Sequence, residues 1–233
     1  VGGNPHTGTP GIVAPGEKEP CMFVVRRMKK KVISIPPSAS LFEARERMRG
    51  HDIHQLPVVG EDGRLVGILS NRDIRQATLP FALLKGATEK EAEELLKGTP
   101  VEKVMTRKVI AATLTDTLED AIVLLHDFRI NALPVLDDQG RVAGIITRTD
   151  ALKAFIEALG VGEISSRLEV VVPDRPGALA SIVTIIKGFN VNITSLLTTG
   201  VSEEEKRAIF IRVATINVLP LKHAIREAGF EIL

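Results

Sequence analysis

The chain contains no tryptophan, no tyrosine and a single cysteine, Cys21. One cysteine excludes an internal disulfide and a metal site built from several cysteines, and it is typical of a reducing compartment. No apolar run reaches the roughly 18 uncharged residues that a membrane span needs, and no basic segment followed by an apolar core opens the sequence. These absences predict a cytoplasmic protein with no membrane partner.

The sequence also lacks an excess of either charge, since 30 basic side chains face 29 acidic ones. A net charge of +1 gives no overall field for nucleic acid, and few aromatic side chains are present to stack on bases. There is no P-loop, dinucleotide fingerprint, G-x-S-x-G or H-E-x-x-H motif. We therefore expect a protein that is not an enzyme, with no metal, no catalytic cofactor and no nucleic-acid partner.

What the chain does contain is a duplication. Residues 28–73 and 105–150 align without a gap, and 15 of the 46 aligned positions are identical. Each copy has the pattern strand, helix, strand, strand, helix, with a glycine-containing hairpin turn between the last two strands. In the first copy the first strand is predicted at Val32–Ile35. The duplication predicts two similar domains in one chain.

Capping boxes predict where the helices begin. Ser40 with Glu43 marks the first helix of one copy, and Thr117 with Asp120 marks its counterpart. Between the copies, Thr88 with the glutamate three residues later predicts a connecting helix.

The strongest functional signal is the ending of each copy, GILSNRD at 67–73 and GIITRTD at 144–150. The glycine allows a ligand or another backbone to approach closely. The aspartate can accept hydrogen bonds from two vicinal ribose hydroxyls, and the start of the next helix favours phosphate. In the alternative interpretation the aspartate only caps the helix. Because the motif occurs twice in register, we favour the ligand interpretation.

With these motifs the two copies resemble cystathionine-beta-synthase (CBS) domains over about residues 26–157. The resemblance implies clefts that bind an adenine nucleotide (AMP, ADP or ATP) or S-adenosylmethionine as a regulatory ligand. The implied nucleotide-binding residues are Ser34, Ile53, His54, Leu56, Pro57, Ser70, Arg72, Asp73, Asn131, Leu133, Pro134, Thr147, Arg148 and Asp150. Ala111 offers no hydroxyl at the position of Ser34. The second cleft is therefore expected to take a different ligand, to bind weakly or to be empty.

After Gly160 the pattern changes to strand, helix, strand, strand, helix, strand, which predicts a ferredoxin-like domain. VPDRPGALA at 172–180, together with GFNVNITSL, resembles the ACT domain; the first motif alone fits a ligand-free tight turn equally well. The resemblance implies dimerisation and an amino-acid site. Its residues would be Asp174, Gly177, Leu179 and Asn192. Val172 departs from the polar residue that some members carry there.

The predicted fold class is α+β: a tandem CBS pair of β-α-β-β-α repeats followed by a ferredoxin-like βαββαβ ACT domain. Its predicted segments are a disordered extension at 1–21, a first CBS domain at 22–80, a connecting helix or linker at 81–102, a second CBS domain at 103–160 and an ACT domain at 161–233. This order resembles the acetoin-utilisation-type CBS/ACT family.

The expected function is ligand sensing by a homodimer that regulates an unidentified partner protein. Two alternatives remain: an amino-acid sensor with a structural CBS pair, and a scaffold with empty clefts. An enzyme has the least support.

Overall fold

The structure, a computed structural model, describes residues 22–82, 88–200 and 205–233. The predicted extension at 1–21, with Cys21, lies outside the described residues. The chain divides into two compact units, of which the first ends at Ala151 and the second comprises Leu152–Leu233.

The first repeat and the helix that follows it contain α1 (Val24–Arg27), α2 (Leu41–Gly50), β1 (Gln55–Val59), β2 (Leu65–Ser70), α3 (Asn71–Ala82) and α4 (Glu89–Gly98). The second repeat contains a 3-10 helix (Val101–Lys103), β3 (Ala112–Thr113), α5 (Leu118–Asp127), β4 (Ala132–Leu136), β5 (Val142–Thr147) and α6 (Arg148–Ala158). In each repeat the longer strands pair as an antiparallel hairpin. The predicted order of elements is complete in the second repeat, and in the first repeat the helix, the hairpin and the final helix are present.

The first predicted strand differs between the repeats. β3 pairs in parallel with β4, but the segment predicted at Val32–Ile35 is reduced to one parallel bridge between Ile35 and Val58. Pro36 occupies the position of Thr113 in the duplication. Ile35 nevertheless makes two parallel-ladder hydrogen bonds: its N–H donates to the Pro57 carbonyl at 3.1 Å, and its carbonyl accepts from the Val59 N–H at 3.0 Å. What Pro36 lacks is the N–H that Thr113 donates to Asp116 Oδ2 at 2.9 Å.

The capping boxes also differ. Thr117 and Asp120 form the complete reciprocal box at α5. At α2 the Ser40 hydroxyl accepts from the Glu43 N–H at 3.1 Å, but the Glu43 carboxylate accepts from Arg47 Nη2 at 2.8 Å and does not return to Ser40. The predicted helix start is confirmed, and the predicted box is only half made.

The segment ahead of each repeat pairs with the other repeat. Lys29 and Ile145 of β5 exchange two backbone hydrogen bonds, at 2.8 and 3.0 Å. Thr106 and Ile68 of β2 make the equivalent exchange, both bonds at 2.9 Å. The two repeats are therefore joined by a reciprocal exchange of strand segments.

The same exchange extends to the residues further upstream. Val24 in α1 donates its N–H to the Asp116 carbonyl ahead of α5, at 3.0 Å, and the matched Val101 donates to the Ala39 carbonyl ahead of α2, at 2.8 Å. Both valines are fully buried. Each repeat thus obtains part of its core from the segment that precedes its partner.

The second unit contains β6 (Ser166–Pro173), α7 (Ala178–Gly188), β7 (Ile193–Gly200), β8 (Lys206–Val213), α8 (Leu219–Glu227) and β9 (Glu231–Ile232). Its antiparallel sheet has the order β7-β8-β6-β9. Side chains from α7 and α8 share a core with alternate residues of β6 and β8, such as Leu168, Val170, Ile209 and Ile211. The predicted ferredoxin-like topology is confirmed.

Candidate functional site

A cleft of about 680 Å³ lies between the two repeats, lined by side chains from segments 29–33, 52–55, 131–132 and 145–149. Both repeats contribute because Lys29 pairs with β5, which brings the segment after it to the edge of the second hairpin. The volume lies within the roughly 300–1,000 Å³ of small-molecule sites. The cleft is therefore large enough for a nucleotide.

The doubled motif forms two capping boxes. Ser70 Oγ accepts from the Asp73 N–H at 3.3 Å, while Asp73 Oδ2 accepts from the Ser70 N–H at 2.8 Å and from its hydroxyl at 2.6 Å. Thr147 and Asp150 repeat this arrangement at 3.2, 3.0 and 2.6 Å. The hydroxyl residue is thus the helix cap, whereas the sequence had suggested that role for the aspartate. The aspartate lies one turn inside and closes the box.

The box commits only one oxygen of each aspartate. Asp150 Oδ1 lies 3.5 Å from Lys29 Nζ. Within the residues described, Asp73 Oδ1 has neither a cation nor a hydrogen-bond donor. Since a carboxylate accepts several hydrogen bonds, capping and ligand binding are compatible at both positions.

His54 lines the cleft, and its Nδ1 lies 3.1 Å from Asn71 Nδ2. The Asn71 N–H also donates to the His54 carbonyl at 3.0 Å, and Arg148 makes the matched bond to Asn131. These bonds fix both loops against the helices that carry the aspartates.

The predicted nucleotide residues separate into two groups. Five of them line the cleft: Ile53, His54, Asn131, Thr147 and Arg148. Leu56 and Leu133 are fully buried in their repeats, and Pro57 and Pro134 are buried beside them. Ser70, Asp73 and Asp150 are half-buried at the helix starts, and Arg72 is exposed. The Ser34 carbonyl accepts from Arg47 Nη1 at 2.7 Å.

Sequence reasoning missed several lining residues, notably Asp52, Gln55, Ala132 and Ile145. Gln55 Oε1 is a buried acceptor without a hydrogen-bond partner. The signal that could have identified it is alternation: the next residue of β1, Leu56, points into the core, so Gln55 points to the opposite face.

In the second unit, the predicted ammonium acceptor already has a partner. Both carboxylate oxygens of Asp174 accept from Arg207, at 3.1 and 3.0 Å, and this pairing raises the pKa of the Arg207 guanidinium. Gly177 has a φ of +90° and precedes α7, a conformation that glycine adopts without strain. Leu179 is partly exposed nearby.

Asn192 lies at the other end of the sheet. It lines a hollow of about 250 Å³ beside the C-terminal end of α7 and precedes Ile193. Ile193 pairs with Val213, at the C-terminal end of β8. Pro173, next to Asp174, pairs with Lys206, at the N-terminal end of β8. One chain therefore does not bring the four predicted amino-acid-binding residues together.

No group of three or more His, Cys, Asp and Glu side chains could hold a metal ion in the described part of the chain. Among the helices of the same residues, none is both long and apolar enough to cross a membrane.

Comparison with known proteins identifies both folds. The CBS domain matches residues 24–79 and 101–157, and the ACT domain matches residues 166–228. A CBS domain-containing protein of Dictyostelium discoideum is 32% identical over 139 residues, covering 59% of this chain and 94% of that protein. The chain belongs to the CBS-domain family and carries tandem CBS domains followed by a C-terminal ACT domain.

One solved structure agrees with the CBS assignment. Protein MJ1225 of Methanocaldococcus jannaschii is 30% identical, with a TM-score of 0.52, covering 57% of this chain and 48% of that one. The CBS pair of protein MJ0100 is 29% identical, with a TM-score of 0.49, covering 58% and 97%. The MJ0100 pair was solved in complex with 5′-methylthioadenosine and S-adenosyl-L-methionine.

Proposed function

We propose that this protein is a ligand-sensing regulator whose CBS clefts bind an adenine nucleotide (AMP, ADP or ATP) or S-adenosylmethionine. The observation that carries the proposal is the doubled capping box, in which each aspartate commits one oxygen to its helix and has a second oxygen at the edge of the repeat. This arrangement suits a ribose, whose two vicinal hydroxyls both donate.

In this proposal Asp73 and Asp150 bind ribose, and Ser70 and Thr147 contribute their hydroxyls. The helix starts, with an arginine at each, attract phosphate or carboxylate. The other residues named from the resemblance form the walls, Leu56 and Leu133 by supporting them from the core.

Regulation follows if the ligand favours one arrangement of the repeats over another. A coupling free energy of about 1–3 kcal/mol is sufficient for a useful switch. We propose that α4 and the linker at 160–166 transmit the change to a partner surface. α4 is well placed because its Leu96 is buried in the same core as Leu56 and Leu69.

The first test is the absorbance spectrum of the purified protein, followed by mass spectrometry of an acid extract. Without tryptophan or tyrosine, the protein itself absorbs little, so a bound adenine compound would dominate the spectrum. We expect such a compound from the native protein and less of it from Asp73→Ala and Asp150→Ala. Asp138→Ala, at an exposed turn, is the matched control. A native protein that neither carries nor binds any adenine compound would contradict the proposal.

We further propose that the ACT domain forms a homodimer. β7 has a hydrogen-bonded neighbour on one side only among the described strands, and such an edge is a template for pairing with a second chain. An amino-acid site would then need both copies, because Asp174 and Asn192 lie at opposite ends of one sheet. Sedimentation of a monomer alone at micromolar concentration would contradict the dimer.

A further inference from the structure

We infer that the two ligand sites accept different adenosyl ligands: the cleft lined by Asp52 and Gln55 takes one with a zwitterionic amino-acid tail, as in S-adenosylmethionine. The other site, which has Arg129 and Ala132 at the matched positions, takes phosphorylated adenosine. This inference rests on the proposed function and names the ligand class at each site.

The matched positions occupy corresponding places in the two repeats. Asp52 and Arg129 both adopt the left-handed conformation, with φ of 50° and 53°. Gln55 pairs with Ser70 in β1, as Ala132 pairs with Thr147 in β4. Replacing one loop by the other therefore changes side chains without changing the path of the backbone.

The cleft contains acceptors that have no partner. In the described part of the chain, Asp52 forms no ion pair, although it lines the cleft and is exposed. Gln55 Oε1 is buried and unpaired, which costs free energy until a donor arrives. The last torsion of a glutamine is soft, so the amide can turn toward a ligand. These two groups suit an ammonium, which only donates.

The same cleft also contains cations. Lys29, Lys31 and Arg148 line it, and Lys29 already faces Asp150. A carboxylate can pair with Lys31 or Arg148, while a doubly charged phosphate would be repelled by Asp52. Mixed charge of this kind matches an amino-acid tail, which carries one group of each sign.

The matched site lacks this acid and this amide. Arg129 stands where the first cleft has Asp52, and Ala132, which also lines the first cleft, stands in the place of Gln55. Arg72 stands at the start of α3 beside Asp73. Arginine pairs strongly with phosphate, so this site favours a phosphorylated ligand.

Isothermal titration of single-site variants tests the inference. In an Asp73→Ala background only the Asp150 site remains, and the probes are S-adenosylmethionine, S-adenosylhomocysteine, 5′-methylthioadenosine and AMP. We expect both ligands that have the tail to bind more tightly than methylthioadenosine, which lacks it. Asp52→Asn and Gln55→Ala should each weaken their binding roughly tenfold and leave methylthioadenosine within about twofold.

The reciprocal variant is Asp52→Arg, which places at position 52 the residue type found at the matched position 129. It should raise the affinity for AMP relative to S-adenosylmethionine. Equal binding of tailed and tail-less ligands, or variants that weaken all ligands alike, would overturn the inference while the proposed function stands. If the native protein binds none of the four probes, and neither ADP nor ATP, the proposed function fails instead.

Discussion

Gly67 and Gly144 show what a single residue contributes here. The sequence suggested that these glycines admit a ligand or another backbone. In the structure, each glycine faces the exchanged segment of the other repeat. A Cβ on Gly67 would lie 2.5 Å from Met105 Sδ and 3.2 Å from the Thr106 carbonyl oxygen. At Gly144 the nearest atoms all belong to the Met28 side chain. The glycines therefore make room for the exchanged segments.

Gly67→Ala is expected to destabilise the protein by roughly 1–3 kcal/mol, as overpacking does. Gly144→Ala should cost less, because a flexible methionine can move and a backbone carbonyl cannot. Gly50→Ala, at the end of α2 with no atom within 4 Å of the added Cβ, is the control and should be neutral or stabilising by up to about 1 kcal/mol. Denaturant titration of the three variants measures the difference. Equal losses at 67 and 144 would contradict this explanation.

Among single residues, the sequence named candidates for the site but not how the fold arranges them. The repeated Asp73 and Asp150 were identified because they are polar residues in a duplicated apolar pattern. Gln55 was missed because its unpaired oxygen depends on three-dimensional packing. Leu56 was predicted on the cleft wall, but one step along a strand reverses the direction of a side chain.

At the scale of elements, the helix caps give a direct comparison between the repeats. Ser40→Ala removes a cap that makes one hydrogen bond and should cost about 0.5–1 kcal/mol. Thr117→Ala should cost more, because the Thr117 hydroxyl accepts from the Asp120 N–H at 3.1 Å and also donates to Asp120 Oδ2 at 2.6 Å. Thermal melts of the two variants measure the order, and an equal or reversed order would contradict it.

The same element predicts a pH dependence. Hydrogen bonds from Thr117 lower the pKa of the Asp120 carboxyl. A folded-state pKa below the unfolded one means that the carboxylate stabilises the fold above the ordinary value of about 3.9. The contribution is lost as pH falls through the lowered pKa. Asp120→Asn should therefore be less stable than the native protein at pH 6 and should differ little from it at pH 2. A constant difference across that range would exclude this role.

Local patterns predicted most helices and strands but not the strand pairing between the two repeats. The capping boxes and hairpin turns indicated the helix starts and the strand pairs. The pairing of Lys29 with Ile145 joins residues far apart in sequence, and neither local pattern contains that information.

At the scale of the whole molecule, the exchange predicts long-range effects of mutation. Val24 lies ahead of the first repeat but is buried beside α5 of the second. Val24→Ala should destabilise the protein by roughly 1–3 kcal/mol and should increase amide hydrogen exchange in α5. The matched Val101→Ala should increase exchange in α2. Each variant serves as the control for the other, and effects confined to the repeat nearer in sequence would contradict the prediction.

The exchanged segments also have a consequence for dissection of the chain. A fragment cut between the copies would separate each hairpin from the strand that lies beside it, leaving an open edge where Lys29 or Thr106 is now bonded. Such halves would be expected to recover their missing edges by pairing with one another. Two separately expressed halves should therefore reassemble on mixing, in a complex held together by the same backbone hydrogen bonds that the intact chain makes within itself.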